Sequence, residues 1–176
     1  MNAMILNGSM RKDGRTAAVT SSVKKFLVER GIGANEHFLY QMGIKGCLTC
    51  GCGTGKDNAT ELVKELILCD IPIFASPIRM ERTTDSLNAF IELLFHTCRY
   101  DDETMDKVKN KKAAVVLTTD GDIDTAAEAL ELFRELFSRL GMDFVSSLTV
   151  PFADKEKILS HEYQKKIKDF VDAIAI

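Results

Sequence analysis

Short apolar runs alternate with amphipathic stretches from one end of the chain to the other. Four of these runs are continuously apolar, as strands buried on both faces of a parallel sheet are. A fifth run is more polar but still has strand character. Together they predict strands over residues 3–7, 37–40, 71–76, 113–119 and 144–150.

Stretches with the 3.6-residue period of an amphipathic helix lie between these runs and after the last of them. Each predicts a helix with one buried stripe, formed by Val19, Val23, Phe26 and Leu27; by Leu62, Leu66 and Ile67; by Leu87, Phe90, Ile91 and Leu94; by Ala126, Leu130, Phe133, Phe137 and Leu140; and by Ile167, Phe170, Val171 and Ile174. Capping-box pairs predict two helix starts and glycines predict two helix ends, at Asn58 with Glu61, Thr125 with Glu128, Gly31 and Gly141.

Strands that alternate with helices are typical of a parallel sheet with helices on both faces. A chain of 176 residues, 45% of them hydrophobic, is long enough to bury the core of one such domain. We therefore expect a single α/β domain over residues 1–176, with about five strands.

The net charge and the N-terminal residues argue against nucleic acid and membranes as partners. The net charge is -3, and the basic residues are scattered among acidic ones, so we expect no nucleic-acid partner. Residues 1–6 are too short an apolar run for a signal peptide or a membrane span, which predicts a cytoplasmic protein without membrane contact.

The first strand runs directly into a loop of small and polar residues, 7–16, and then into a helix. Backbone N–H groups and the positive end of a helix dipole favour an anion at such a place. Ser9 and Thr16 add hydroxyl groups, and Arg11 adds a positive charge. The loop therefore predicts a phosphate site, although an ordinary strand-to-helix turn of the same composition stays an alternative.

Two common phosphate motifs are absent from the sequence. No Gly-x-Gly-x-x-Gly follows the first strand, as a dinucleotide site requires. Gly55 and Lys56 resemble the end of a Walker A loop, but Asp57 stands in place of Ser or Thr, and Cys50 in place of the first Gly. A mononucleotide is the ligand class that is left.

The order of motifs resembles the NAD(P)H-dependent FMN reductases, and particularly their iron-sulfur flavoprotein branch. The motifs are Gly-Ser-x-Arg from Gly8, then Gly14 and Thr16, a Cys-rich loop, and Ser76-Pro77 at the end of an apolar strand. The resemblance covers residues 4–145. It implies a flavodoxin-like three-layer sandwich with a parallel sheet of order 2-1-3-4-5 and helices on both faces.

The resemblance also implies which residues bind FMN. The loop after the first strand would hold the phosphate, the loop after the third would line the ribityl chain and ring, and the loop after the fourth would close over the isoalloxazine. The residues concerned are Ser9, Met10, Arg11, Gly14, Arg15 and Thr16; Pro77, Ile78, Arg79, Met80 and Glu81; and Thr118, Thr119, Asp120 and Gly121.

Two positions depart from the family pattern. Arg15 stands where the family commonly has Asn, and Arg79 where it commonly has Tyr. A guanidinium can stack on a flavin face or pair with negative charge on the ring edge. The alternative for Arg79 is a surface ion pair with Glu81 or Asp85.

Cys47, Cys50 and Cys52 resemble the compact motif that holds a 4Fe–4S cluster in the iron-sulfur flavoproteins. Such a cluster needs four thiolates as a rule, and the next candidate, Cys69, lies at a helix end before a buried strand. The spacing from Cys50 to Cys52 is also one residue shorter than in the motif. We therefore expect no cluster, and no zinc site either, because no second pair of ligands follows.

These features predict an FMN-dependent oxidoreductase that passes electrons from NAD(P)H to a small acceptor such as a quinone, a flavin or a metal complex. The cofactor performs the chemistry, so no acid-base pair is required. A non-enzymatic flavin or iron-sulfur electron carrier or redox sensor, or a module that has lost its cofactor, stays an alternative. The resemblance further implies a homodimer or tetramer.

Overall fold

The computed structural model describes residues 1–44, 58–151 and 154–175. Five parallel strands form one sheet in the order β2-β1-β3-β4-β5, which confirms the predicted order. The strands are β1 (Asn2–Asn7), β2 (Gly33–Phe38), β3 (Ile71–Ile78), β4 (Lys112–Thr119) and β5 (Asp143–Pro151).

Helices cover both faces of the sheet in the described residues. They are α1 (Arg15–Glu29), α2 (Asn58–Leu68), α3 (Asp85–Tyr100), α4 (Asp102–Val108), α5 (Ala127–Leu140), α6 (Lys155–Ile158) and α7 (His161–Ile174), with short 3-10 turns at Leu39–Met42 and Asp124–Ala126. One apolar core lies between the sheet and α1, α6 and α7, and a second lies between the sheet and α2 to α5. The fold is therefore the three-layer sandwich that the sequence predicted.

The second strand lies earlier in the chain than predicted. Residues 37–40 were expected to form it, but β2 ends at Phe38, and Leu39 begins a 3-10 turn that buries its side chain in the core. Among the described strands β2 lies at the edge of the sheet and pairs with β1 alone, so it needs no continuous apolar run. Apolar content is therefore a poor guide to its limits.

The predicted helix ends are right at the glycines and wrong at one cap. Gly31 and Gly141 adopt positive φ angles of 72° and 65°. Thr125 does not cap α5, since that helix begins after the 3-10 turn, and the Thr125 hydroxyl donates instead to Asp122 at 3.0 Å. Asn58 is the first residue of α2, and its amide donates to the carbonyl of Met42 at 2.9 Å.

Candidate functional site

Three loops meet at the carboxyl edge of the sheet, where β1, β3 and β4 are neighbours. Asn7 at the end of β1 pairs with Ala75 on β3, while Pro77 and Ile78 pair with Thr118 and Thr119 on β4. Chain order reverses at β1, because β2 lies on one side of it and β3 on the other. Open α/β sheets bind ligands at this kind of switch point.

The loop after β1 is held in a tight curve by its own hydrogen bonds. The Ser9 hydroxyl accepts from the N–H of Arg11 at 3.2 Å and lies 3.1 Å from the Arg11 carbonyl oxygen. The N–H of Gly14 donates to the same carbonyl at 3.2 Å. A Cβ on Gly14 would lie 3.2 Å from that oxygen and 3.4 Å from the Ser9 hydroxyl, so the absence of a side chain keeps the loop interior clear.

The first turn of α1 offers its N–H groups to a ligand. Gly14 is the N-cap and has no side chain to accept a hydrogen bond, and among the described residues the turn carries no acidic side chain. Uncapped N–H groups and an uncompensated helix dipole favour an anion. With the buried hydroxyls of Ser9 and Thr16 beside them, these groups fit the phosphate of FMN.

Arg11 projects away from the loop into solvent in this conformation. Its side chain is 75% exposed, and its Nε lies 3.4 Å from a carboxylate oxygen of Asp13. Arg11 lowers the pKa of Asp13 through this hydrogen bond and through its charge. A phosphate held by Arg11 would therefore compete with Asp13 for the guanidinium.

Two contacts join the loop after β1 to the loop after β4. The hydroxyls of Thr16 and Thr118 lie 2.7 Å apart in a buried position. Arg15 forms an ion pair with Asp120 nearer the surface. Residues that the sequence assigned to opposite ends of the ligand are thus in direct contact.

The loop after β3 is a tight hairpin turn at the surface. The backbone N–H groups and carbonyls of Arg79 and Arg82 bond to each other at 3.0 and 3.1 Å. Met80 and Glu81 between them have φ angles of 50° and 63°. Among the described residues Arg79 makes no ion pair with Glu81 or Asp85, and its side chain is exposed.

The predicted ring residues differ in how accessible they are. The side chains of Arg79, Met80 and Glu81 are exposed and Pro77 is half-buried, whereas Ile78 belongs to the core beneath α3 and α5. Thr119 accepts a hydrogen bond from the N–H of Gly121 at 3.0 Å, which turns the chain sharply after β4. Only the backbone of Ile78 remains for a ligand to contact.

Two residues of the predicted loop, Asn7 and Gly8, received no role of their own from the sequence. Asn7 is fully buried, and its side-chain oxygen accepts from the N–H of Ser9 at 2.8 Å. A Cβ on Gly8 would collide with the Thr84 hydroxyl, so this glycine allows the loop to cross the start of α3. A polar Asn at the end of a buried strand was the one available signal.

The cysteine motif cannot be placed, because Cys47, Cys50 and Cys52 lie outside the described residues. Elsewhere in the chain, residues 1–44, 58–151 and 154–175 hold no cluster of three or more potential metal ligands. No helix in these same ranges is long and apolar enough to cross a membrane.

The fold and the site define a flavodoxin-like protein with an anion cradle after its first strand. The family model for NADPH-dependent FMN reductase matches residues 1–157. The chain belongs to this family, and it is an FMN reductase-like oxidoreductase with FMN and NAD(P)H as its cofactors. A search of curated protein sequences found no match.

Solved structures of similar fold have low sequence identity to the chain. The Trp repressor binding protein of Bacillus subtilis has a TM-score of 0.70 and 17% identity over 97% of both chains. An FMN-dependent NADH-azoreductase of Bacillus anthracis, solved with FMN, has a TM-score of 0.75 and 12% identity over 100% of both. A flavoenzyme NAD(P)H:acceptor oxidoreductase of Paracoccus denitrificans has a TM-score of 0.72 and 17% identity over 99% of this chain and 94% of its own.

Proposed function

We propose that residues 1–176 form one domain that binds FMN at the carboxyl edge of the sheet and passes electrons from NAD(P)H to a small acceptor such as a quinone, a free flavin or a metal complex. The uncapped start of α1 carries this proposal, since it opens beside the buried hydroxyls of Ser9 and Thr16 and next to the loops after β3 and β4. The azoreductase and the acceptor oxidoreductase of the same fold support the reaction class.

The phosphate end of FMN would be held by the loop after β1 and the first turn of α1. Three or four charge-assisted hydrogen bonds there would contribute about 5–10 kcal/mol before the costs of ordering and desolvation. Micromolar binding needs about 8 kcal/mol net, so phosphate contacts alone are insufficient. The flat ring must contribute as well.

The ring end of FMN would lie against the loops after β3 and β4. Arg79 has an exposed guanidinium, which supports a role in stacking on the ring or in pairing with negative charge at its edge. Pro77, Met80 and Glu81 would line the ribityl chain and ring, and Thr119, Asp120 and Gly121 would border the opposite side.

Bound FMN supplies the redox chemistry, since a flavin accepts a hydride from a nicotinamide and hands electrons on. The side chains of this protein would then hold and orient the cofactor and shield one side of it from water. Thr16 and Thr118 would keep the phosphate loop and the loop after β4 at a fixed separation, because their hydroxyls are bonded to each other at 2.7 Å.

The protein is also proposed to form a homodimer or tetramer. A cavity of about 360 Å³ opens between α3 and α5, lined on its apolar side by Ile91, Phe95, Leu132, Phe133 and Leu136. Leu132 is 65% exposed, and contiguous apolar surface of this kind often marks an interface between subunits.

The test is an FMN titration of the wild type beside Ser9→Ala and Arg11→Ala. Each loop variant should weaken binding by about tenfold, the effect of one lost charge-assisted hydrogen bond. Ser138→Ala and Arg99→Ala are matched controls, since both residues are exposed near the carboxyl ends of α5 and α3, away from the loops. Loop variants that bind as tightly as the wild type would show that the phosphate lies elsewhere.

The activity itself is tested by adding NADPH or NADH to the FMN-loaded wild type under anaerobic conditions. The flavin absorbance should bleach, and an added quinone or ferric complex should restore it. A protein that binds FMN but is not reduced by either nucleotide would contradict the reductase function while leaving the binding site intact.

A further inference from the structure

A partly buried polar cluster lies directly behind the phosphate loop, between β1, β2 and α1. The amide nitrogen of Asn7 donates to the carboxylate of Glu36 at 2.9 Å and lies 3.2 Å from the hydroxyl of Thr20. The Thr20 hydroxyl lies 2.6 Å from the same Glu36 oxygen. Asn7 and Thr20 are both 0% exposed, and Glu36 is half-buried at the edge of the sheet.

This cluster fixes which way the Asn7 amide points. The backbone N–H of Ser9 can only donate, so the group 2.8 Å from it must be the amide oxygen. An ionised carboxylate can only accept, so the group facing Glu36 must be the amide nitrogen. A flipped amide would set nitrogen against N–H on one side and oxygen against carboxylate on the other.

The orientation of Asn7 in turn sets the start of the loop. Once its N–H is bonded to Asn7, Ser9 is placed so that its hydroxyl can accept from the N–H of Arg11 at 3.2 Å. Gly14 then closes the loop on the Arg11 carbonyl at 3.2 Å. A chain of hydrogen bonds thus leads from Glu36 on the edge strand to the loop.

We propose that Glu36 is a positioning residue for phosphate recognition, acting through Asn7 on the loop from Gly8 to Gly14 without touching the ligand. This inference rests on the proposed FMN site. A carboxylate behind an anion site opposes phosphate by its charge, so its benefit must come from the hydrogen bonds that it accepts. The cluster therefore stabilises the conformation of the loop and adds no electrostatic attraction for the phosphate.

Two substitutions of similar size distinguish the hydrogen-bond acceptor of Glu36 from its negative charge. Glu36→Met removes the acceptor and should weaken FMN binding by about tenfold, while Glu36→Gln keeps an oxygen for Asn7 and should stay within about threefold of the wild type. Riboflavin lacks the phosphate, so its affinity should be equal in all three proteins. Glu65→Met is the matched control. Glu65 lies on α2 and accepts hydrogen bonds from Asn35 and His37, whose side chains lie on the opposite face of β2 from that of Glu36.

Equal losses of FMN and riboflavin affinity in Glu36→Met would overturn the inference and indicate a general structural role. Unchanged FMN binding would overturn it too. Amide hydrogen exchange at Ser9 tests the relay without any ligand: the N–H should exchange faster in Glu36→Met than in the wild type or Glu36→Gln. If the wild type binds FMN no better than riboflavin, the proposed site fails, and Ser9 exchange alone then decides the relay.

Discussion

At the scale of single residues, the buried hydroxyl pair of Thr16 and Thr118 joins helix α1 to strand β4 at the proposed site. Thr118→Val removes one hydroxyl at nearly constant volume and leaves Thr16 without this partner. We expect the free energy of unfolding to fall by about 1 kcal/mol. Thermal unfolding would then show a midpoint lower by roughly 2–4 °C.

Thr118→Ser is the control for this pair, since it keeps the hydroxyl and loses only a methyl group. The serine variant should lie closer to the wild type than the valine variant does. A valine variant at least as stable as the wild type would show that the hydroxyl contact contributes nothing to stability.

At the scale of elements, the turn after β3 is strained. Met80 and Glu81 occupy the left-handed region with φ angles of 50° and 63°, where L side chains are unfavourable. Two consecutive positive φ angles, between residues Arg79 and Arg82 that are bonded to each other through their backbones, are typical of a type I′ turn. Asn-Gly is the preferred sequence for such a turn. The double variant Met80→Asn with Glu81→Gly should raise the free energy of unfolding by about 1–2 kcal/mol.

Denaturant unfolding measures that gain, and Met80→Ala with Glu81→Ala is the control. The alanine pair removes the same side chains but keeps the strain, so no gain is expected from it. An equal gain in both double variants would trace the effect to the side chains, of which Met80 is 92% exposed, instead of to the backbone.

The sequence predicted the secondary-structure elements correctly where burial on both faces produces a continuous apolar run. The central strands β1, β3 and β4 are covered on both faces, so their apolar runs mark them clearly. Strand β2 at the edge has no such run and was misplaced. Helix α5 begins later than its capping-box signal because Thr125 bonds to Asp122, a local competition that spacing alone does not reveal.

At the scale of the whole molecule, the sequence predicted the layers and the sheet order, and it placed the loops of the candidate site on one edge. It included Asn7 in the predicted loop but missed Glu36 and the contact between the two residues. That contact depends on β1 and β2 lying side by side, although Asn7 and Glu36 are 29 residues apart in sequence. It also assigned Ile78 to the ring, although the alternation along β3 turns that side chain into the core. Patterns of residues along the sequence do not predict the contacts between segments that are distant in the chain.

Stability of the whole fold should decline at alkaline pH because two thiols are buried in it. Burial raises the pKa of Cys69 from 9.0 to about 12 and that of Cys98 from 9.0 to about 11. Above pH 9.0 the unfolded chain releases these protons while the folded protein retains them. Each thiol therefore lowers the free energy of unfolding with a slope approaching about 1.4 kcal/mol per pH unit.

Denaturant unfolding of the wild type and Cys69→Ala, followed from below pH 9.0 up to about 11 in the presence of a reductant, checks this effect. The variant should be less stable than the wild type below that window, and the difference should shrink as the pH rises. Lys and Tyr residues titrate in both proteins, so their contribution cancels. Parallel pH profiles would contradict the role assigned to the Cys69 thiol.

The apolar surface between α3 and α5 leads to a prediction about how subunits assemble. If subunits meet at the apolar cavity between these helices, Leu132→Glu places a charge in the interface and should shift the mass measured by light scattering from an oligomer to a monomer. Leu159→Glu is the matched control, because Leu159 is 66% exposed at the end of α6 and should leave the mass unchanged. Far-ultraviolet circular dichroism of both variants verifies that the fold persists. An oligomer that survives Leu132→Glu would place the subunit interface on another face, and a monomeric wild type would overturn the proposed assembly itself.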